Sequence, residues 1–130
     1  MDGLECTDQF YPGLAYQETL ANMGQNRGLF AKLADLFIEQ HGEDLVLIEQ
    51  ALRGGDREAA LDLIHALRGT AGNLGAITLY HCAGDLEADI NRKKLSPTVG
   101  PKIKQAMTEL QSSLTQLVAD HAQYETIAPD

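Results

Sequence analysis

The run Asp56-Arg-Glu-Ala-Ala60-Leu-Asp-Leu63-Ile64-His65-Ala-Leu67-Arg68-Gly69-Thr-Ala71-Gly72-Asn-Leu74-Gly75 reads as one amphipathic helix. Ala60, Leu63, Ile64, Leu67, Ala71 and Leu74 recur at steps of three and four, the period of a helix with one buried face, whereas a strand would alternate every second residue. Gly54-Gly55 ends whatever precedes, Asp56 is a side-chain cap for the first turn, and Gly75 suits the left-handed residue at which helices stop.

Working outward, the same period continues on both sides. Toward the C-terminus, Leu79, Cys82, Ala83, Leu86 and Ile90 mark a helix over about Ile77 to Arg92. Beyond a loop from Lys93 to Ser96, Pro97 opens a last helix whose seam is Ile103, Met107, Leu110, Leu114, Leu117, His121 and Tyr124. Toward the N-terminus, Leu29, Phe30, Leu33, Leu36, Phe37, His41, Leu45, Ile48 and Leu52 form one stripe, so Arg27 to Arg53 is expected to be a single long helix despite Gly42, capped by Asn26. A short helix from about Gly13 to Met23, with Leu14, Leu20 and Met23 as its apolar members, precedes it. Short connections make sequential helices antiparallel. The expected fold is therefore all-α, an antiparallel up-down four-helix bundle with the short N-terminal helix covering one end. Residues 1–12 read as a solvated leader or linker, 13–124 as the bundle and 125–130 as a tail.

Composition narrows the function. A chain of 130 residues with 44% hydrophobic content can bury a core unaided. Its two cysteines, Cys6 in a polar leader and Cys82 in an apolar periodic segment, are not expected to form a disulfide framework, which fits a reducing cytoplasm. No apolar run has the length of a membrane span, and the start lacks the basic and apolar regions of a secretory signal, so no direct membrane contact is expected. A formal net charge of −9 repels phosphate backbones and argues against a nucleic-acid partner.

One outward strip of the quoted helix calls for a chemical reason. At about 100° per residue His65 lies roughly 140° from the centre of the apolar stripe, facing solvent. Gly69 and Gly72, four and seven residues on, flank that strip and leave the surface beside the imidazole bare, although a mid-helix glycine destabilises by about 1 kcal/mol relative to alanine. Close packing of two helices inside the bundle is the other reason for glycines, but Gly69 sits almost opposite the apolar stripe. A partner that must bring a reacting group against His65 accounts for the strip better. Arg68 stands on its edge, where a guanidinium reaches an anion held on the imidazole.

The segment His65-Ala-Leu-Arg68-Gly69-Thr-Ala-Gly72-Asn-Leu-Gly75-Ala76 resembles the His-x-x-Lys-Gly core of histidine-containing phosphotransfer domains. Gly13-Leu14 with Met23-Gly24, the run Leu33 to Phe37, Ala51-Leu52 with Gly55-Asp56, and Leu86-Glu87 extend the resemblance over roughly residues 13 to 120. It implies that His65 takes a phosphoryl group from a receiver domain's phospho-aspartate and passes it to another receiver. A neutral imidazole, the main form at cytoplasmic pH, is already a nucleophile. It implies further that Arg68 stabilises the phosphoryl charge, and that Glu87 orients the imidazole through the ring's other nitrogen. Glu87 can alternatively be read as a solvated helix-face carboxylate. The family's usual lysine is arginine here, which keeps the charge but not the shape; Arg68→Lys is expected to retain much of the function. The docking surface is expected at Gly69 and Gly72, with Leu14 and Leu20 as an apolar rim. The chain is expected to be monomeric, to need no cofactor or metal of its own, since the receiver supplies the divalent ion, and to lack an ATP site. It is expected to act as a carrier rather than an enzyme, free-standing or within a hybrid sensor kinase.

Two rival readings remain. A helical adaptor bundle without phosphotransfer would show the same periodicity. A metal-dependent bundle enzyme would use the carboxylate-x-x-His spacing of Asp62 and His65, but it needs a second such pair, and neither His81 nor His121 has an acid three residues earlier. Gly69-x-x-Gly72-x-x-Gly75 follows no strand and lacks the Gly-Lys-Ser/Thr of a nucleotide loop. His41 and His121 lie on apolar stripes and read as core or boundary residues, and His81 as a solvent-facing one.

Overall fold

The computed structural model describes residues 10–127. Among them lie six α-helices and no strand: α1 (Tyr16–Asn22), α2 (Arg27–His41), α3 (Asp44–Arg53), α4 (Arg57–Leu74), α5 (Ile77–Asn91) and α6 (Val99–Ile127). Cys6 and the acidic leader lie outside the described residues. The expected caps form. Asn26 Oδ1 accepts from the Leu29 N–H at 2.9 Å and Asp56 Oδ1 from the Ala59 N–H at 3.0 Å, while Gly75 closes α4 at φ +78°.

The single helix expected over Arg27 to Arg53 is instead two, α2 and α3. Gly42 keeps helical dihedrals, but Glu43 departs to φ −103°, ψ 5°. A Cβ at Gly42 would lie 2.7 Å from the Ile38 carbonyl oxygen, so glycine is required there. Across the break His41 Nδ1 meets Asp44 Oδ2 at 2.6 Å, and the His41 ring packs on Phe37 with centroids 5.1 Å apart. The apolar face passes through the break almost in phase, since Phe37 and Ile48 are both buried.

Packing follows chain order, with one closure. α4 lies against α3 and α5, and α6 lies against α5 and α2, which also touches α4. Phe30, Phe37, Ile64, Leu67, Leu79, Leu110 and Leu114 fill the centre. Leu67 has 0% exposure, and Leu67→Ala should lower the unfolding free energy by about 2 to 5 kcal/mol, the range for an unrelaxed leucine cavity. Chemical denaturation checks this; an unchanged midpoint would contradict the burial. At the edges of the stripes the sequence reading overreaches, because Leu29 and Tyr124 are exposed.

The N-terminal segment is bound more tightly than a leader would be. Tyr11 is 3% exposed, and its hydroxyl donates to Asp120 Oδ2 at 2.7 Å; burial first, and then the Asp120 carboxylate, push its pKa well above the usual phenol range. Ser113 Oγ donates to the Pro12 carbonyl at 2.7 Å. The boundary expected after residue 12 thus falls inside a segment packed on α6. Tyr16 stacks on Phe30 and meets Tyr11 edge-on, and Leu14 pairs with Ala76 in an isolated bridge. Gly75 makes this approach possible, since a Cβ there would strike the Thr19 hydroxyl. Leu20, expected on an apolar rim, is 1% exposed and belongs to the core.

Candidate functional site

Because Ile64 and Leu67 point into the core, the same turn of α4 must turn His65 and Arg68 away from it. The His65 side chain is 81% exposed. From α5, Tyr80, Gly84 and Glu87 follow one another at steps of four and three, which puts them on one face, beside α4. Two helix faces thereby bring five residues together.

Arg68 is the hub. Its Nη1 donates to Glu87 Oε1 at 3.3 Å and its Nη2 to the Tyr80 hydroxyl at 3.4 Å. The guanidinium carbon lies 4.7 Å from the centroid of the Tyr80 ring, within cation–π range. Gly84 leaves room for the group, since a Cβ there would approach Arg68 Nε to 3.3 Å. That Nε is buried and has no hydrogen-bond acceptor.

Glu87 reaches both functional candidates on α4. Its other oxygen, Oε2, is 3.8 Å from His65 Nδ1, too long for a hydrogen bond and close enough for attraction. A carboxylate on that side favours the tautomer with the proton on Nδ1, which leaves the lone pair on Nε2. Glu87 is 23% exposed and paired; it is not the freely solvated carboxylate of the alternative reading.

The two glycines of the strip differ. A Cβ at Gly69 would have nothing within 4 Å, so this part of the strip is bare. A Cβ at Gly72 would meet Tyr80 Cδ1 and Cε1 at 3.2 and 3.3 Å. Gly72 therefore seats the tyrosine ring. Leu14 is half-buried and Leu20 is enclosed, but Ile77, beside Ala76 at the same end of the bundle, is exposed. Sequence reasoning missed Tyr80 and Gly84, although their spacing from Glu87 was visible.

The remaining histidines stand apart from this arrangement. His41 and His121 are half-buried, paired with Asp44 and facing Glu125, and His81 is exposed. Among the described residues no three His, Cys, Asp or Glu side chains are grouped to hold a metal ion. None of the described helices is long and apolar enough to cross a membrane. Cys82 is a half-buried free thiol whose pKa is raised by burial and by Asp85.

In comparison with protein families, the model of the Hpt domain aligns with residues 32–120, a span that contains His65, Arg68, Tyr80, Gly84 and Glu87. No curated protein and no solved structure matches significantly.

Proposed function

Because the chain belongs to the Hpt domain family, whose members carry phosphoryl groups in two-component signalling, we propose that it is a phosphorelay intermediate in which His65 is the phosphorylated residue. The observation that carries this reading is an imidazole 81% exposed on α4, with a carboxylate toward Nδ1 and a guanidinium one turn away.

In the proposed step the lone pair of His65 Nε2 attacks the phosphorus of a receiver's phospho-aspartate. The N–P bond forms, and the P–O bond to the aspartyl carboxyl breaks, its electron pair leaving with the regenerated carboxylate. No proton needs to move. The ring keeps its Nδ1 proton and becomes cationic, so the Glu87 carboxylate facing Nδ1 stabilises the charge as it develops. Arg68 supplies positive charge for the phosphoryl oxygens, whose transfer depends mainly on positioning and electrostatics. The divalent ion is assigned to the receiver. Passing the group to a second receiver runs the same step in reverse.

Receiver domains are the partners in this reading, docking over Gly69. On this chain the apolar rim of that surface is Leu14 and Ile77 rather than Leu20, which is enclosed. We read the long helical segments as an antiparallel up-down bundle and the protein as a cytoplasmic monomer, free-standing or part of a hybrid sensor kinase. Short connections between helices support the antiparallel arrangement, and the charge of −9, which makes copies repel one another, supports the monomer. An adaptor bundle would have no use for the Glu87 contact with His65.

Mixing the chain with a phosphorylated receiver should label it with phosphate that is lost in acid and kept in base, and fragment mass spectrometry should place it on His65. Label on another residue, or none with receivers that phosphorylate other Hpt domains, would overturn the proposal.

A further inference from the structure

We propose that Tyr80 is a positioning residue for Arg68, and that the site is built for arginine rather than for a cation in general. The inference rests on the reading of His65 as the phosphorylated residue and adds a residue to that site. Tyr80 fixes the guanidinium in two ways, through its ring, whose centroid lies 4.7 Å from the guanidinium carbon, and through its hydroxyl on Nη2 at 3.4 Å. Glu87 holds Nη1, and Gly84 admits Nε against the α5 backbone. A planar group held at its central carbon by a ring and at two of its nitrogens by hydrogen bonds has a defined orientation, whereas an unsupported arginine at a helix surface samples many rotamers.

The small residues of the site fit the same purpose. Side chains at Gly72 and Gly84 would press on the Tyr80 ring and on the guanidinium respectively, so both glycines make room for the contact between them. Lysine carries its charge on a single nitrogen and has no second one to share between Tyr80 and Glu87. Arg68→Lys keeps the charge and loses the geometry, so the substitution is not the mild one that charge alone suggests.

Phosphoryl uptake by the whole chain from a phosphorylated receiver, measured across receiver concentrations, tests the proposal. Tyr80→Leu should lower the maximal rate about three- to tenfold, the weight of one cation–π contact and one hydrogen bond, with the half-saturating receiver concentration little changed. Tyr80→Phe, which keeps the ring, should fall between Tyr80→Leu and wild type. Arg68→Lys should resemble Tyr80→Leu. Combined with Arg68→Ala, Tyr80→Leu should have no further effect, because the group it positions is gone. Tyr80→Leu acting equally in the Arg68 and Arg68→Ala backgrounds, or not at all, overturns the inference. Melting temperatures separate a loss of folding, for which Tyr80→Phe is the milder variant. An independent reading comes from the Arg68 Nε–H resonance, whose exchange with water should be slow in the wild type and fast in Tyr80→Leu; fast exchange in both overturns the clamp. A wild-type chain that takes no phosphate on His65 while showing the slow Nε–H overturns the functional reading alone.

Discussion

His65→Gln is expected to melt within about two degrees of the wild-type chain and to accept no phosphoryl group. The first half follows from exposure. With 81% of the side chain in solvent, the imidazole contributes little packing, and surface substitutions away from special features stay within about 0.5 kcal/mol. Glutamine is moreover a better helix former than histidine. The one interaction lost is the 3.8 Å approach to Glu87, which keeps its contact with Arg68. The second half follows from chemistry, since an amide nitrogen has no lone pair available for attack at phosphorus. A scan of the melting curve and a labelling assay on the same preparation check both halves. Labelling at the wild-type rate would show that another residue carries the phosphate, and a large drop in melting temperature would show that His65 supports the fold instead.

How far the sequence could be read depended on whether a residue's role lay along one helix or between two. His65 could be placed on the solvent side because the phase of Ile64, Leu67 and Ala71 in the same helix determines it. The caps at Asn26 and Asp56 are equally local, each a contact with a backbone N–H three residues on. The break at Gly42 was not legible from the stripe, because a kink of one residue scarcely disturbs the apolar phase; the steric demand of the Ile38 carbonyl appears only in three dimensions. Tyr11 was counted with a polar leader because its partner, Asp120, is 109 residues away. Leu20 faced the core because α1 folds back onto the α4–α5 turn, an approach that short-range periodicity does not encode. Tyr80 shows the same limit at the site. Its relation to Arg68 runs between α4 and α5, and only the pairing of Gly72 with Gly84 and the arginine in place of lysine hinted at it.

Gly69→Leu should separate docking from folding, and of the variants at the site it is the one whose effect depends on the partner alone. A Cβ at this position meets nothing within 4 Å, so leucine enters neither the core nor the contact of Tyr80 with Arg68. Replacing a mid-helix glycine should stabilise the chain by up to about 1 kcal/mol. A receiver that brings its aspartate to His65 must nevertheless cover the next turn of α4, since a specific interface takes about 800 Å² from each partner. A leucine near the middle of that patch holds the two surfaces apart, and receiver affinity should fall at least about tenfold, equivalent to about 1.4 kcal/mol. Gly72 would be a poorer choice, because a side chain there displaces Tyr80 and with it the cation, mixing two effects. A small donor such as phosphoramidate supplies the control: it needs no docking surface, so any labelling of His65 that it achieves should be nearly the same in Gly69→Leu and wild type. A variant that melts lower would place Gly69 at a helix contact within the bundle. One that melts higher and binds the receiver with wild-type affinity would remove this strip from the docking surface and leave the glycine without a function in transfer.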